Sequence, residues 1–278
     1  HIDGIRYDAA KYVDNYDFMN WMVEESKKAA GAKPFYSVAE YIPETPVITN
    51  LDGPMDGCWQ DSFYHTVVAH ITGETFDLEQ LKSVIEPKRR GFMGLTNVVN
   101  YLTNHDHNRI MAELGDRNIF DEDAFRRKKL GFALVMTAVG IPMIWMGEEF
   151  GEYKYKTIDQ SKIDWTLLQN DLNRSCFEYY KGLIALRKEN KALQTDNIDF
   201  FHENPEAKVL AYVRWNDEGS RVVVVANFSD QFLGGYTITN FPADGTWHEW
   251  TLDYDVASGN GELITDLGPY EAKVFVWQ

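Results

Sequence analysis

Cysteine and positive charge are both scarce in this 278-residue sequence. Two cysteines, Cys58 and Cys176, are too few for a disulfide scaffold or a cysteine-only zinc site, and they read as buried free thiols. Lys and Arg total 27 against 43 Asp and Glu, a formal net charge of -16. Such a surface repels a phosphate backbone, and no basic stretch offsets it, so nucleic acid is not an expected partner. No apolar run reaches the roughly 18–20 residues that span a bilayer, so no membrane partner is expected either. There is no low-complexity tract and no visible targeting segment; the compartment stays open, with the cytoplasm as the expectation. What is present is 44% hydrophobic and 14% aromatic, enough for a sizeable core in one large or two medium domains.

The first 194 residues alternate strand and helix signals. Residues 2–8 alternate apolar and polar and end on Asp8. Phe18, Trp21, Met22 and Ala29, at three- and four-residue spacings, predict a helix stopped by Gly31. Strands are expected over 34–40, 55–59, 97–103 and 143–146, and helices over 61–72, 77–90, 121–139 and 171–189. Strand–helix alternation of this kind argues for a parallel sheet with helical crossovers. From residue 195 the texture changes to short strands over 209–215, 221–228, 236–239, 246–252 and 273–277. Turn signals such as Asn216-Asp217-Glu218-Gly219 separate them. Residues 195–278 are therefore expected to form an antiparallel β-sandwich.

Three acidic residues, Asp8, Glu40 and Asp106, fall at the downstream ends of predicted parallel strands. Asp8 and Glu40 are about one βα unit apart, and Glu40 and Asp106 about two. In a (β/α) barrel such strand ends converge on one face, where active sites are built. Arg6 and His105 flank the set. Glycosidic cleavage needs this chemistry: one carboxylic acid protonates the leaving oxygen and a carboxylate faces the anomeric carbon. A third carboxylate can hold sugar hydroxyls or stabilise a cationic transition state. The competing use is a divalent-metal site with His105 and His107 beside Asp106. A single His beside an Asp is also a common structural pair, so no metal ligand is assigned.

Four motifs carry a family resemblance. Gly4-Ile5-Arg6-Tyr7-Asp8-Ala9-Ala10-Lys11 resembles the fourth-strand signature of the α-amylase family of glycoside hydrolases and transglycosylases. Val38-Ala39-Glu40 resembles the fifth-strand signature, and Leu102-Thr103-Asn104-His105-Asp106 the seventh. Gly140-Ile141-Pro142-Met143-Ile144-Trp145-Met146-Gly147-Glu148-Glu149 resembles the eighth. The resemblance implies a partial TIM (β/α)8 barrel (strands 4–8) over 1–194, followed by an all-β sandwich domain over 195–278.

It implies Asp8 as nucleophile of a covalent glycosyl-enzyme, Glu40 as general acid and then base, and Asp106 as stabiliser of the distorted sugar. Arg6 would pair with Asp8 and keep it ionised. Lys11 and His105 would serve substrate binding; apart from the resemblance, Tyr41, directly after Glu40, and Arg109, by pairing with a carboxylate near Asp106, are further substrate-binding candidates. As an acid near neutral pH, Glu40 would need a raised pKa. Glu148 and Glu149 would be structural. Trp59, Tyr64, Tyr153 and Trp165 are candidate sugar platforms or packing residues. Calcium is the cofactor the family allows; Tyr12 stands where many members carry a His that helps hold it.

The expected activity is retaining hydrolysis of α-1,4-glucosidic bonds in an α-glucan substrate. Glucan branching or another transglycosylation is the alternative, and a sugar-binding or inert fragment the non-enzymatic one. Five barrel strands against eight lead to the further expectation that an N-terminal half of the same protein completes the enzyme.

Overall fold

The computed structural model describes residues 2–13 and 15–277. Its first part contains strands β1 (Gly4–Tyr7), β2 (Tyr36–Ala39), β3 (Gly57–Trp59), β4 (Val98–Asn100) and β5 (Ile141–Pro142). Around them lie helices α1 (Tyr16–Ala30), α2 (Asp61–Thr72), α3 (Leu78–Ile85), α4 (Ile110–Gly115), α5 (Asp121–Thr137) and α6 (Asp171–Glu189). The five strands form one wholly parallel sheet in the order β1-β2-β3-β4-β5. Each neighbour in space is the next strand in sequence, so every crossover steps the same way and all strand C-termini share one edge. Among the described residues, β1 and β5 each pair on one side only.

Close approach explains two glycines. A side chain at Gly57 would lie 2.0 Å from the Tyr36 hydroxyl, which passes over it to donate to Thr96 O at 2.6 Å. Gly140, at φ +141°, turns the chain from α5 into β5, and a Cβ there would collide with the Asn100 amide. That amide donates to Val139 O at 3.1 Å, tying the turn to β4.

Several expected elements are shorter than their apolar runs. The strand expected over 97–103 stops at Asn100, and the chain then turns into the loop that carries Asp106. The strand expected over 143–146 is instead Ile141–Pro142, with the Met143 amide making one more bond to Asn100 O at 2.8 Å. Proline lacks a donor, and an edge strand is where a sheet tolerates it. The helix expected over 77–90 breaks at Pro87 into α3 and a 3₁₀ turn, Pro87–Arg90. In α1, Met19 and Val23 are buried while Phe18 and Trp21 face outward and contact each other. The six-residue α4 is too short to leave a period in the sequence.

The second part comprises β6 (Ile198–Asn204), β7 (Val209–Trp215), β8 (Arg221–Asn227), β9 (Leu233–Thr239), β10 (Gly245–Glu249), β11 (Tyr254–Ser258), β12 (Glu262–Leu267) and β13 (Glu271–Trp277). A six-stranded antiparallel sheet, β11-β10-β13-β8-β7-β6, packs on the two-stranded β12-β9. Strands β6, β11 and β12 have no counterpart in the sequence reading. The first two are sheet edges and β12 pairs only with β9, so each carries polar residues with a weak apolar signal.

Strands β7 and β8 are buried on both faces, so their sequences run apolar without alternation. One face, with Val209, Ala211, Val223 and Val225, packs toward β9 and β12. The other, with Leu210, Tyr212, Val222 and Val224, joins the core built on α2, α5 and α6. Two arginines, Arg214 buried and Arg187 half-buried, stitch this junction. Arg214 donates to Asn197 O at 2.9 Å, to Thr137 O at 2.5 Å and to Thr195 O. Arg187 donates to Met136 O, Ala138 O and Gly140 O. These carbonyls include the last ones of α5, which lack helical partners, and a cation there suits the helix dipole. Burial pushes the two guanidinium pKa values down, to about 9 for Arg214 and about 10 for Arg187, and both stay charged at neutral pH.

Removing the Arg214 side chain leaves buried carbonyls without donors. Arg214→Ala is expected to lower the free energy of unfolding by about 3 kcal/mol or more. Arg221→Ala, at the partly exposed start of β8, is expected to cost under about 1 kcal/mol. Urea unfolding followed by circular dichroism distinguishes the two.

Candidate active site

Asp8 and Glu40 each directly follow the last residue of a strand, β1 and β2. The parallel register places Tyr7 against Ala39, which brings the two following residues together. The segment around Asp8, Tyr7 to Ala10, is bound to Glu40 at three points. Glu40 N donates to Tyr7 O at 2.9 Å and Ala10 N to Glu40 O at 2.9 Å. Ala9 N donates to Glu40 Oε2 at 3.1 Å. Ala9 adopts φ 46°, a left-handed conformation uncommon for a residue with a Cβ. The turn beside Asp8 is thus held in place against local backbone preference.

Arg6, on β1, joins the carboxylates. Its Nη1 lies 2.9 Å from Asp8 Oδ1 and 2.5 Å from Glu40 Oε2. Its guanidinium sits 4.8 Å from the centre of the Trp59 ring. Trp59 is buried at the end of β3 and meets His105 edge-on, with centroids 5.8 Å apart. His105 Nε2 lies 3.4 Å from Asp106 Oδ2. One chain of contacts therefore runs Glu40 and Asp8, Arg6, Trp59, His105, Asp106. The Asp8 carboxyl is held below the usual range, first by its hydrogen bond with Glu40 and then by the Arg6 charge, with a smaller contribution from His105. The cluster is open: the Asp8 side chain is 76% exposed and that of Asp106 50%, against 16% for Glu40.

The loop bearing His105 and Asp106 is pinned from within. Asn104 Oδ1 accepts from the Asp106 amide at 2.8 Å and the His107 amide at 3.2 Å. The Thr103 hydroxyl donates to His107 O and Asn108 O. Glu44, buried, accepts from Arg90 Nη2 at 2.6 Å and from Ser62 N, which anchors the segment after Glu40.

The remaining expected site residues are placed differently. Lys11 donates to Ile42 O at 3.1 Å, bridging the turn after Asp8 and the loop after Glu40. Tyr41 packs against the small core around Tyr7, Ala10 and Ala39. The expected pairing of Arg109 with a carboxylate near Asp106 gives way to two backbone carbonyls. Arg109 is buried, and its Nη atoms donate to Lys154 O and Met146 O at 3.1 Å each, bracing the loop after β5. Glu148 is likewise buried, accepting from Ile110 N at 3.0 Å and pairing with Lys128. Trp165 and Tyr153 are exposed, whereas Tyr64 is buried.

A second polar cluster lies beside the first, centred on Asp61, a residue to which the sequence assigns no role. Asp61, at the start of α2, accepts from Tyr101 OH at 2.9 Å. His107 Nε2 stands 2.8 Å from Asp61 Oδ1, and His65 Nε2 3.1 Å from Oδ2. His107 thus turns away from Asp106, so the metal arrangement of His105 and His107 around Asp106 is not formed. The signal for the new cluster was available: an Asp two residues beyond the end of β3, with a His four residues on along the same helix face.

Residues 1–173 match the model of the alpha amylase catalytic domain, and residues 201–275 that of the alpha amylase C-terminal all-beta domain. Neopullulanase 2 of Thermoactinomyces vulgaris is 28% identical over 230 residues, 81% of this chain and 36% of that protein. A 1,4-alpha-glucan branching enzyme of Bacillus mycoides is 30% identical over 165 residues, 53% of this chain and 25% of that protein. Among solved structures, the alpha-amylase from Geobacillus thermoleovorans complexed with acarbose superposes with a TM-score of 0.80 at 21% identity. That match covers all of this chain and 60% of the other. A cyclomaltodextrinase gives 0.82 at 22% identity, over 99% of this chain and 46% of that one. The chain thus spans about a third or less of the two curated relatives. With a family model over most of its length and the all-beta module following it, the chain belongs to the α-amylase family of glycoside hydrolases.

Proposed function

We propose that this chain carries the catalytic carboxylates of a retaining α-glucan hydrolase that cleaves α-1,4-glucosidic bonds through a covalent glycosyl-enzyme. The observation that carries the reading is the Arg6 Nη1 contact shared by Asp8 and Glu40. Through that nitrogen the contacting oxygens lie at most about 5.4 Å apart, short of the roughly 6.5–9.5 Å that admits water between an inverting pair.

In this reading Asp8 attacks the anomeric carbon while Glu40 gives its proton to the departing glycosidic oxygen. Glu40 then takes a proton from water, whose oxygen displaces Asp8, so two inversions give net retention. Asp8 suits the nucleophile because its carboxyl is biased toward the ionised form. Asp106, with His105 beside it, holds the hydroxyls of the distorted sugar and stabilises the transition state. Lys11 and Tyr41 border the sugar, while Arg109 supports the site from behind the loop after β5 rather than by contact. Calcium does not fit at Tyr12: the residue is 86% exposed and offers a phenol where a hard cation needs carboxylate or carbonyl oxygens. No step is routed through it.

We further propose that β1–β5 correspond to strands four to eight of a (β/α)8 barrel, with further strands of the same protein closing it. The sequential parallel order and the single-sided pairing of β1 and β5 support this reading. Glucan branching is the second reading, favoured by the openness of the carboxylates to an acceptor sugar and by the similarity to a branching enzyme.

Incubation with maltoheptaose, followed by proton NMR, is expected to yield reducing ends that are initially α. Initial β anomers would overturn the retaining mechanism, and new α-1,6 signals would favour branching. Asp8→Asn and Glu40→Gln are each expected to lower kcat by at least about a thousandfold. Carbon-13 NMR titration is expected to place the Asp8 carboxyl below ordinary aspartates. Arg6→Met should raise it, because the cation that favours the carboxylate is gone. By the same sign, the part of the folding stability linked to Asp8 is present above the ordinary Asp range and fades as pH falls through the depressed value.

A further inference from the structure

We propose that Asp61, His65 and His107 form a binding site for a borderline divalent transition ion, with Zn²⁺ as its probe, and that the ion clamps the loop bearing Asp106 to helix α2. The three donor atoms, one from each residue, all lie within 4.8 Å of one another. Both imidazoles aim the same nitrogen, Nε2, at opposite oxygens of one carboxylate, at 2.8 and 3.1 Å. The two carboxylate contacts are slightly tighter than the roughly 3.3 Å between ligand atoms of a tetrahedral zinc shell, and with all three donors within 4.8 Å small side-chain shifts admit the ion.

The ligands are set on rigid supports. Asp61 and His65 are four residues apart on α2, hence on one helix face. The His107 ring is stacked on Tyr64 at 3.8 Å and 20°, which fixes its plane. The Tyr101 hydroxyl donates to Asp61 Oδ1 at 2.9 Å, the kind of outer hydrogen bond that orients a metal-bound carboxylate. Two imidazoles and one carboxylate form a soft-to-borderline set that suits zinc rather than calcium. The His65 side chain is 64% exposed, which leaves a coordination position facing solvent. The glycosidase reading uses none of these three residues. Because His107 is adjacent to Asp106, occupancy of the site would fix the placement of that carboxylate.

The test is zinc uptake by the tag-free, chelator-stripped chain in competition with a chromophoric chelator. One Zn²⁺ per chain is expected, unaffected by an equal concentration of Ca²⁺. His65→Ala, a substitution on the exposed face of α2 that keeps the helix, is expected to weaken uptake at least tenfold. His105→Ala, outside the cluster, should leave it unchanged. Co²⁺ in place of zinc should give the visible absorption of a four-coordinate site, lost in His65→Ala. The proposal is overturned if no saturable uptake occurs, if His65→Ala binds like the parent, or if Ca²⁺ displaces the zinc. Circular dichroism of His65→Ala verifies its fold, and His65→Gln provides a second variant with the same expected loss.

Discussion

Arg6 Nη1 touches Asp8 and Glu40 at once, and the arrangement of the whole candidate site follows from that shared contact. Two carboxylates at neighbouring strand ends repel each other unless a cation or a shared proton lies between them. Here a guanidinium supplies the cation, and the Ala9 amide adds a donor to Glu40. The contact is possible because Arg6 lies on β1 in register with Val38 of β2, so the residues that follow the two strands arrive side by side. A one-residue slip between the strands would reverse which side chains face the site. Trp59 then extends the arrangement: its ring receives the Arg6 cation and meets His105, carrying the contact chain to Asp106.

The sheet that offers these residues is thin, with strands of two to four residues, and its rigidity is borrowed. The core on α2, α5 and α6 continues without a break into one face of the six-stranded sheet. Arg187 and Arg214 cap the carbonyls at the end of α5, immediately before β5. The β-rich part is therefore a supporting wall for the parallel sheet. Its tryptophans agree with that role: Trp247 is fully buried, and Trp250 donates to Gly182 O of α6 at 3.0 Å.

Asp8 and Glu40 were legible in the sequence because strand-end acids one βα unit apart leave a local, countable signal. The parallel order and the change of texture near residue 195 were legible for the same reason. What escaped depends on contacts between distant segments. Arg109 resembles a substrate-binding cation in sequence, yet the loop after β5 presents carbonyls to it across about forty residues. Asp61 is unremarkable until Tyr101, His65 and His107 converge on it. Edge strands β6, β11 and β12 escaped because one exposed face dilutes their apolar pattern. Pro142 reads in sequence as a stop to the preceding helix, whereas it lies in β5 opposite Asn100, and the Met143 amide supplies the bond to Asn100 O.

The central claim is that Asp8 is the group that bonds to the anomeric carbon. Trapping with 5-fluoro-α-glucosyl fluoride, followed by peptide mass spectrometry, tests it most directly. The account predicts one glycosyl adduct per active site, on the peptide that contains Asp8, and none in Asp8→Asn. An adduct on Glu40 or Asp106, with Asp8 unlabelled, would contradict it.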